Sequence, residues 1–214
     1  MYRLRVRFSR GEEIKFISHL DIMRLWERAF RRAQIALAYS EGFSPHPRIS
    51  LAAPLAVGVT SQAELMDVFL VRQVSPHWFD GAVTQQLPAG MEILGVYQIA
   101  LTAPSLQSQV RYAEYRVELA TEKRPEDIKS TISGLLSLEH LPWYHERDTG
   151  RRSYDLRTLI DDLWLVERAQ PYCCIEMRLR CDSGGSGRPE QVTAALGFTG
   201  YPCSIHRTNL VLGG

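Results

Sequence analysis

Residues 2–33 read YRLRVRFSRGEEIKFISHLDIMRLWERAFRRA, and the hydrophobic period changes partway through. From Tyr2 to Phe8 apolar and basic residues alternate strictly, which predicts a strand with one apolar and one basic face. Ser18-His19-Leu20-Asp21 then reads as a capping box, with serine as N-cap and an acid three residues on. Beyond it Ile22, Trp26, Ala29 and Ala33 fall at i, i+4, i+7 and i+11, flanked by Met23 and Phe30. That is the buried stripe of a helix running to about Ala33. Arg24, Arg28, Arg31 and Arg32 fall on another face.

Working outward, Ile49–Ala53 and Glu64–Val71 read as two strands. Ser75-Pro76 opens a helix, with serine as N-cap and proline in the first turn, and Met91–Ile99 is another strand. The order β-α-β-β-α-β is the ferredoxin-like split motif. After a linker at Thr102–Ser105 the order recurs: a strand at Val110–Leu119, a helix at Pro125–Leu136, strands at Trp143–Arg147 and Cys173–Arg180, a helix opened by Arg188-Pro189-Glu190, and a strand at Cys203–Leu212. The expected fold is therefore α+β, two tandem ferredoxin-like halves at 1–101 and 106–214, the second carrying a β insertion at about 150–170.

The chain has 214 residues, 45% hydrophobic and 23% charged, ordinary values for a folded protein. No apolar run approaches the roughly 20 residues that span a bilayer. The N-terminus lacks the apolar core of a signal peptide, so a cytoplasmic location is expected. Cys173, Cys174, Cys181 and Cys203 form no C-x-x-C pair. No metal site is expected from them, and they read as small strand hydrophobes. The net charge of +1 hides an asymmetry: residues 1–48 hold ten basic and five acidic side chains. A local excess of this kind fits a polyanion site on one part of the surface. The plainer reading is that solvated arginines cover helix and strand faces.

The richest connector is Tyr39–Ala52, YSEGFSPHPRISLA. Pro45 and Pro47 fix their own φ and hold Ser44 and His46 extended. Gly42 can take a positive φ and lets a backbone approach closely. His46 and Arg48, two apart in an extended chain, point the same way, and Phe43 adds a ring. A stiff loop carrying imidazole, guanidinium, hydroxyl and aromatic groups can bind phosphate or stack on a base; the bland alternative is a rigid connector whose Phe43 plugs the core. Upstream, His19 falls in the first turn of the first helix, where backbone N–H groups attract anions, or it is a surface residue beside a cap. The glycine-rich stretch Asp182–Pro189 lacks both established phosphate-loop patterns and reads as a flexible connection, with Arg188 a further anion contact.

The run from Phe16 to Leu70, with F-I-S-H-L-D at Phe16–Asp21, Y-S-x-G-F-x-P-H-P at Tyr39–Pro47, G-x-x-S at Gly58–Ser61, and acids at Glu64 and Asp67, resembles a radical SAM-linked domain of unknown function found in bacteria. The second half matches it loosely, at Asp155-Leu156-Arg157 and Gly187-Arg188-Pro189-Glu190. The resemblance implies a separately encoded companion of a radical SAM enzyme. No cofactor is then expected in this chain, the iron–sulfur cluster and S-adenosylmethionine belonging to the partner. The implied fold is similar to that of RAMP-type CRISPR RNA endonucleases, which hold RNA between tandem ferredoxin-like halves.

Three functions follow as expectations. The first is an RNA-binding accessory protein that presents tRNA or rRNA to a radical SAM enzyme. Its contact surface would comprise Lys15, Ser18, His19 and Arg24 at the helix start, with Tyr39, Gly42, Phe43, Ser44, His46 and Arg48 on the loop. The second is a metal-independent RNA-processing nuclease with His19 and His46 as acid and base. The third is a protein–protein adaptor for the radical SAM partner.

Overall fold

The structure, a computed structural model, describes residues 1–147, 150–169 and 171–213. It divides into two compact units, Met1–Val110 joined by Gly213, and Arg111–Leu212.

The first unit runs β1 (Tyr2–Arg10), a 3-10 turn at Glu12–Ile14, α1 (His19–Arg32), β2 (Ile49–Leu51), β3 (Thr60–Leu70), α2 (Pro76–Thr84), β4 (Met91–Ile99) and the single-turn α3 (Leu106–Gln109). Strand β1 lies between β3 and β4, antiparallel to both, and β2 pairs with the other side of β3. The order β4-β1-β3-β2 is the ferredoxin-like one. The caps behave as the residue types dictate. Ser18 Oγ accepts the Asp21 N–H and Ser75 Oγ the Trp78 N–H, each satisfying a backbone donor that the helix leaves over. The apolar face of β1 (Leu4, Val6, Phe8) packs with Ile22, Trp26 and Phe30 of α1 and with Phe79 and Val83 of α2. Within it Phe8, Trp26, Phe30 and Phe79 form a chain of ring contacts at 5.0, 5.3 and 5.7 Å, the spacing at which edge and offset-stacked pairs attract. Of the expected helical stripe, Ile22, Trp26, Ala29 and Phe30 are buried, while Met23 and Ala33 sit at its margin.

The other face of β1 differs from a solvated basic face. Arg3 is 3% exposed and Asp67 of β3 1%. Arg3 Nε donates to Asp67 Oδ2 at 3.0 Å and Arg5 Nε to Asp67 Oδ1 at 2.9 Å. The remaining Arg3 donors reach the carbonyls of Ala103 and Pro104, both at 2.7 Å, so the stretch read as a linker is strapped to β1. One carboxylate shared by two guanidiniums, with the spare N–H groups satisfied by backbone, is the arrangement that lets charge be buried.

The second unit contains β5 (Val110–Ala120), α4 (Pro125–Leu136), β6 (Pro142–Arg147), β7 (Gly150–Asp155), β8 (Ile160–Ala169), β9 (Tyr172–Asp182), β10 (Gly185–Ser186), α5 (Pro189–Ala195) and β11 (Ser204–Leu212). Its order, β11-β5-β9 with β8 beyond β9, repeats that of the first unit. The strand at Trp143–Arg147 does not take the second position of this half. It pairs with Gly150–Asp155 in a separate two-stranded ribbon, and β8 runs beside β9 instead. Asp155 fixes the base of that ribbon. Its carboxylate accepts the N–H groups of Leu141 (2.9 Å) and Arg157 (3.0 Å) and lies 2.8 Å from His140 Nδ1. These contacts, Leu141 first, hold the Asp155 carboxyl below the ordinary carboxylate value. Arg157 in turn donates to the Leu136 carbonyl at the end of α4, where a cation complements the helix dipole. Asp155 and Arg157 of the loosely matching Asp155-Leu156-Arg157 motif thus have structural work.

The glycine-rich stretch folds back as a tight hairpin onto β9. Gly187 N–H donates to Arg180 C=O at 2.9 Å, and a Cβ on Gly187 would stand 2.9 Å from the Leu159 carbonyl. Close packing, not freedom of the chain, accounts for that glycine. Cys173 and Cys181 are buried as expected, Cys174 is half-buried, and Cys203 is exposed.

Candidate nucleic-acid interface

The chain leaves α1 through Gln34, whose φ of 55° closes the helix, and Ala36–Ala38 runs beside the end of β3. Val71 N–H donates to Ala36 C=O and Ala38 N–H to Phe69 C=O. The connector then turns back on itself. Arg48 N–H donates to Ala38 C=O at 2.8 Å and Ser40 N–H to His46 C=O at 2.9 Å, while Ser40 Oγ accepts the His46 N–H at 3.0 Å. Phe69 N–H donates to Arg48 C=O, tying both sides of the base to β3. The two prolines stiffen the returning arm. Gly42, at φ 121°, makes the bend at the tip, a conformation other residues rarely adopt.

This hairpin turns its chemistry outward. Phe43 is fully exposed and Tyr39 57% exposed; Ser44, His46 and Arg48 are exposed as well. Phe43 plugs no core. The Arg48 guanidinium lies 4.5 Å from the Phe69 ring centroid, with Nη1 3.1 Å from Met1 Sδ. That contact holds its plane while leaving it at the surface.

Lys15, Ser18, His19 and Arg24 gather at the start of α1. Lys15, half-buried, pairs with exposed Glu12 at 2.6 Å, and Arg24 pairs with Asp21 at 3.2 Å, the latter an exposed pair of small energetic weight. Ser18 is engaged as the cap, and its hydroxyl also reaches Asp21 Oδ2 at 2.7 Å. The Ser18 hydroxyl foremost, then Arg24, hold the Asp21 carboxyl below its ordinary value. His19 is exposed. Among the described residues no hydrogen bond or ion pair joins this cluster to the hairpin, and neither the His19 nor the His46 ring has a hydrogen-bonding partner. A general acid–base pair is ordinarily oriented by such a partner. Among the described residues no three His, Cys, Asp or Glu side chains converge as a metal site would need, and no helix is long and apolar enough to cross a membrane.

Sequence reasoning missed two features of this unit. Asp67 is the partner of Arg3 and Arg5, signalled by an acid inside the otherwise apolar run Leu65–Leu70. The other is a cleft of about 520 Å³ between the second half of α1 and residues 85–88; only the arginines of one wall were visible as a pattern.

A family profile matches residues 3–189. The chain belongs to the family described as uncharacterized protein conserved in bacteria (DUF2344). No curated protein matches it. Among solved structures, a chain of the archaeal box H/ACA sRNP Nop10–Cbf5 complex is similar at 9% identity and a TM-score of 0.50, covering 97% of this chain and 48% of that one. A chain of a Cbf5–Nop10–Gar1 complex is similar at 10% identity and a TM-score of 0.48, covering 88% and 45%. This DUF2344 chain thus spans less than half the length of either. The likeness is one of fold, and neither structure is a RAMP-type nuclease.

Proposed function

We propose that this DUF2344 protein is an RNA-binding accessory protein that presents tRNA or rRNA to a separate radical SAM enzyme. The observation that carries the RNA half is the fully exposed Phe43 at the tip of a backbone-tied, proline-stiffened hairpin, beside exposed Tyr39, His46 and Arg48. An aromatic that packs on nothing costs the fold solvent-exposed apolar area without return. On a hairpin that also carries Arg48 and His46, it has the form of a stacking platform for an unpaired base. In this reading Arg24 and Arg48 contact phosphate, Phe43 or Tyr39 stacks, and His19 and His46 donate to phosphate or base edges. The partnership rests on the family resemblance, and the iron–sulfur cluster and S-adenosylmethionine belong to that partner. The similar solved chain comes from an RNA–protein complex, but at 9% identity it supports the fold alone.

The test is equilibrium binding of structured RNA across a salt series. Affinity should fall linearly on a log–log plot as counterions are released. Phe43→Ala should weaken it by about 1–3 kcal/mol, the usual worth of one stacked base. RNA affinity absent, or indifferent to salt and to Phe43, sinks the proposal.

The adaptor reading has one observation of its own. Phe16 (73% exposed), Leu20 and Val57 are also bare, and the Gly58 N–H to Lys15 C=O bond joins the segments carrying Phe16 and Val57. Capture of a radical SAM protein that is lost in Phe16→Ser, in a protein without RNA affinity, would establish it instead.

A further inference from the structure

The arginines of α1 divide into two groups. Arg24 is paired with Asp21, whereas Arg28 and Arg32, one turn apart, make no ion pair or hydrogen bond among the described residues. These two line the cleft facing Gln85, Gln86 and Leu87, with Ala29 between them. Ala29 is buried and small, so it recesses the wall that Arg28 and Arg32 also line. No aspartate or glutamate lines the cleft. Its polar groups are two permanent cations and two primary amides, all able to donate to one anion.

The ordinary explanation for arginines here is the helix dipole, since α1 ends at Arg32 and α2 ends at Thr84 beside the cleft. That effect fades within the last turn. It accounts for Arg31 and Arg32, and it does not account for Arg28. Nor does it explain why a wall with two neighbouring cations carries no carboxylate of its own. Side chains at i and i+4 stand about 5–6 Å apart at Cβ, close enough for two guanidinium forks to grip one phosphate or two consecutive ones.

We propose that the Arg28–Arg32 cleft is a phosphate-binding groove. The groups that recognise the ligand are the Arg28 and Arg32 guanidiniums, assisted by the amides of Gln85 and Gln86, on a floor made by Ala29 and Leu87. The phosphate comes either from an RNA backbone or from a small phosphorylated molecule. The groove is distinct from the Tyr39–Arg48 hairpin and does not depend on the hairpin's role.

The test uses the full chain, isotope-labelled, with arginine Nε–Hε signals followed during separate titrations with inorganic pyrophosphate and a ten-nucleotide single-stranded RNA. The Arg28 and Arg32 signals should move saturably. Movement with both probes, tighter for the oligonucleotide, assigns a backbone site; movement with pyrophosphate alone assigns a small-molecule site. The double variant R28Q/R32Q keeps a good helix former at each position. It should weaken binding of the effective probe at least tenfold with an unchanged far-UV spectrum, and lower the salt slope for the oligonucleotide by about 1.4 if two phosphates are held. Arg31→Gln, on the same helix but outside the cleft, should change little, and Phe43→Ala should leave pyrophosphate binding intact. Arginine signals unmoved by either probe, or Arg31→Gln as damaging as the double variant, would overturn the groove. Either failure leaves the hairpin's stacking role untouched.

Discussion

Asp67 shows how a single residue can be misjudged from composition. It adds one negative charge to a chain of near-zero net charge, yet two of the ten basic residues in the first 48 exist largely to meet it. Their partner lies 62 and 64 positions on, so no local pattern pairs them, and the basic face of β1 looks solvated when read alone. Asp67→Asn keeps the volume and removes the charge, leaving two guanidiniums in a site built for three ions. Breaking such a buried network by removing one partner should cost about 3–5 kcal/mol, read as a lowered urea midpoint with an unchanged slope. A loss below about 1 kcal/mol, the worth of an exposed pair, would show that water reaches the triad. Phe43 is the opposite case. Its type and its proline neighbours were legible, but exposure was not, because the same ring could have anchored the loop to the core. Since it packs on nothing, Phe43→Ala should leave folding stability within about 0.5 kcal/mol while reducing RNA affinity.

Among the elements, α1 was the most readable. Its cap, apolar stripe and last basic turn all agree, and its residues are found at His19–Arg32 as the pattern implies. Element β8 was the least readable. Trp143–Arg147 and Ile160–Ala169 are equally strand-like, and propensity does not say which of them pairs with β9; long-range pairing decides. The cap of α1 carries its own prediction. Asp21 titrates below its ordinary value of 3.8 chiefly because the Ser18 hydroxyl donates to it. A carboxyl with a depressed folded pKa contributes stability that is present above its unfolded pKa and lost as pH falls through the folded one. Ser18→Ala should therefore move the Asp21 carboxyl titration, followed by NMR, back up toward 3.8. It should also cost about 1 kcal/mol at neutral pH through the lost N-cap. An unmoved titration would mean that Arg24 and Arg28 set the shift without the hydroxyl.

At the scale of the whole chain the question is where a polyanion would meet it. The basic surplus of residues 1–48 was visible in the sequence, but how it is used was not. Arg3 and Arg5 are consumed internally, Lys15 and Arg24 are locally paired, and Arg28 and Arg32 stand unpaired over a cleft. The second unit is organised differently. Across its strands Arg116 pairs with Glu176 and Arg178 with Glu114 and Asp161, and along β9 Arg180 pairs with Asp182. Glu118 accepts the Ser204 hydroxyl, and Glu114 also accepts the Asn209 amide. Each arginine in that ladder has a carboxylate beside it, which raises the cost of trading it for a phosphate. Ultraviolet crosslinking of the full chain to RNA, with crosslinked peptides sequenced, should therefore give adducts within residues 39–48, with Phe43 and Tyr39 foremost. None should fall on strands 114–118 or 176–182. The signal should fade as salt rises, because the counterion term weakens. Adducts concentrated on the second unit, or a pattern indifferent to salt, would place the RNA surface elsewhere. The hairpin's exposed rings would then have to be explained by a protein partner.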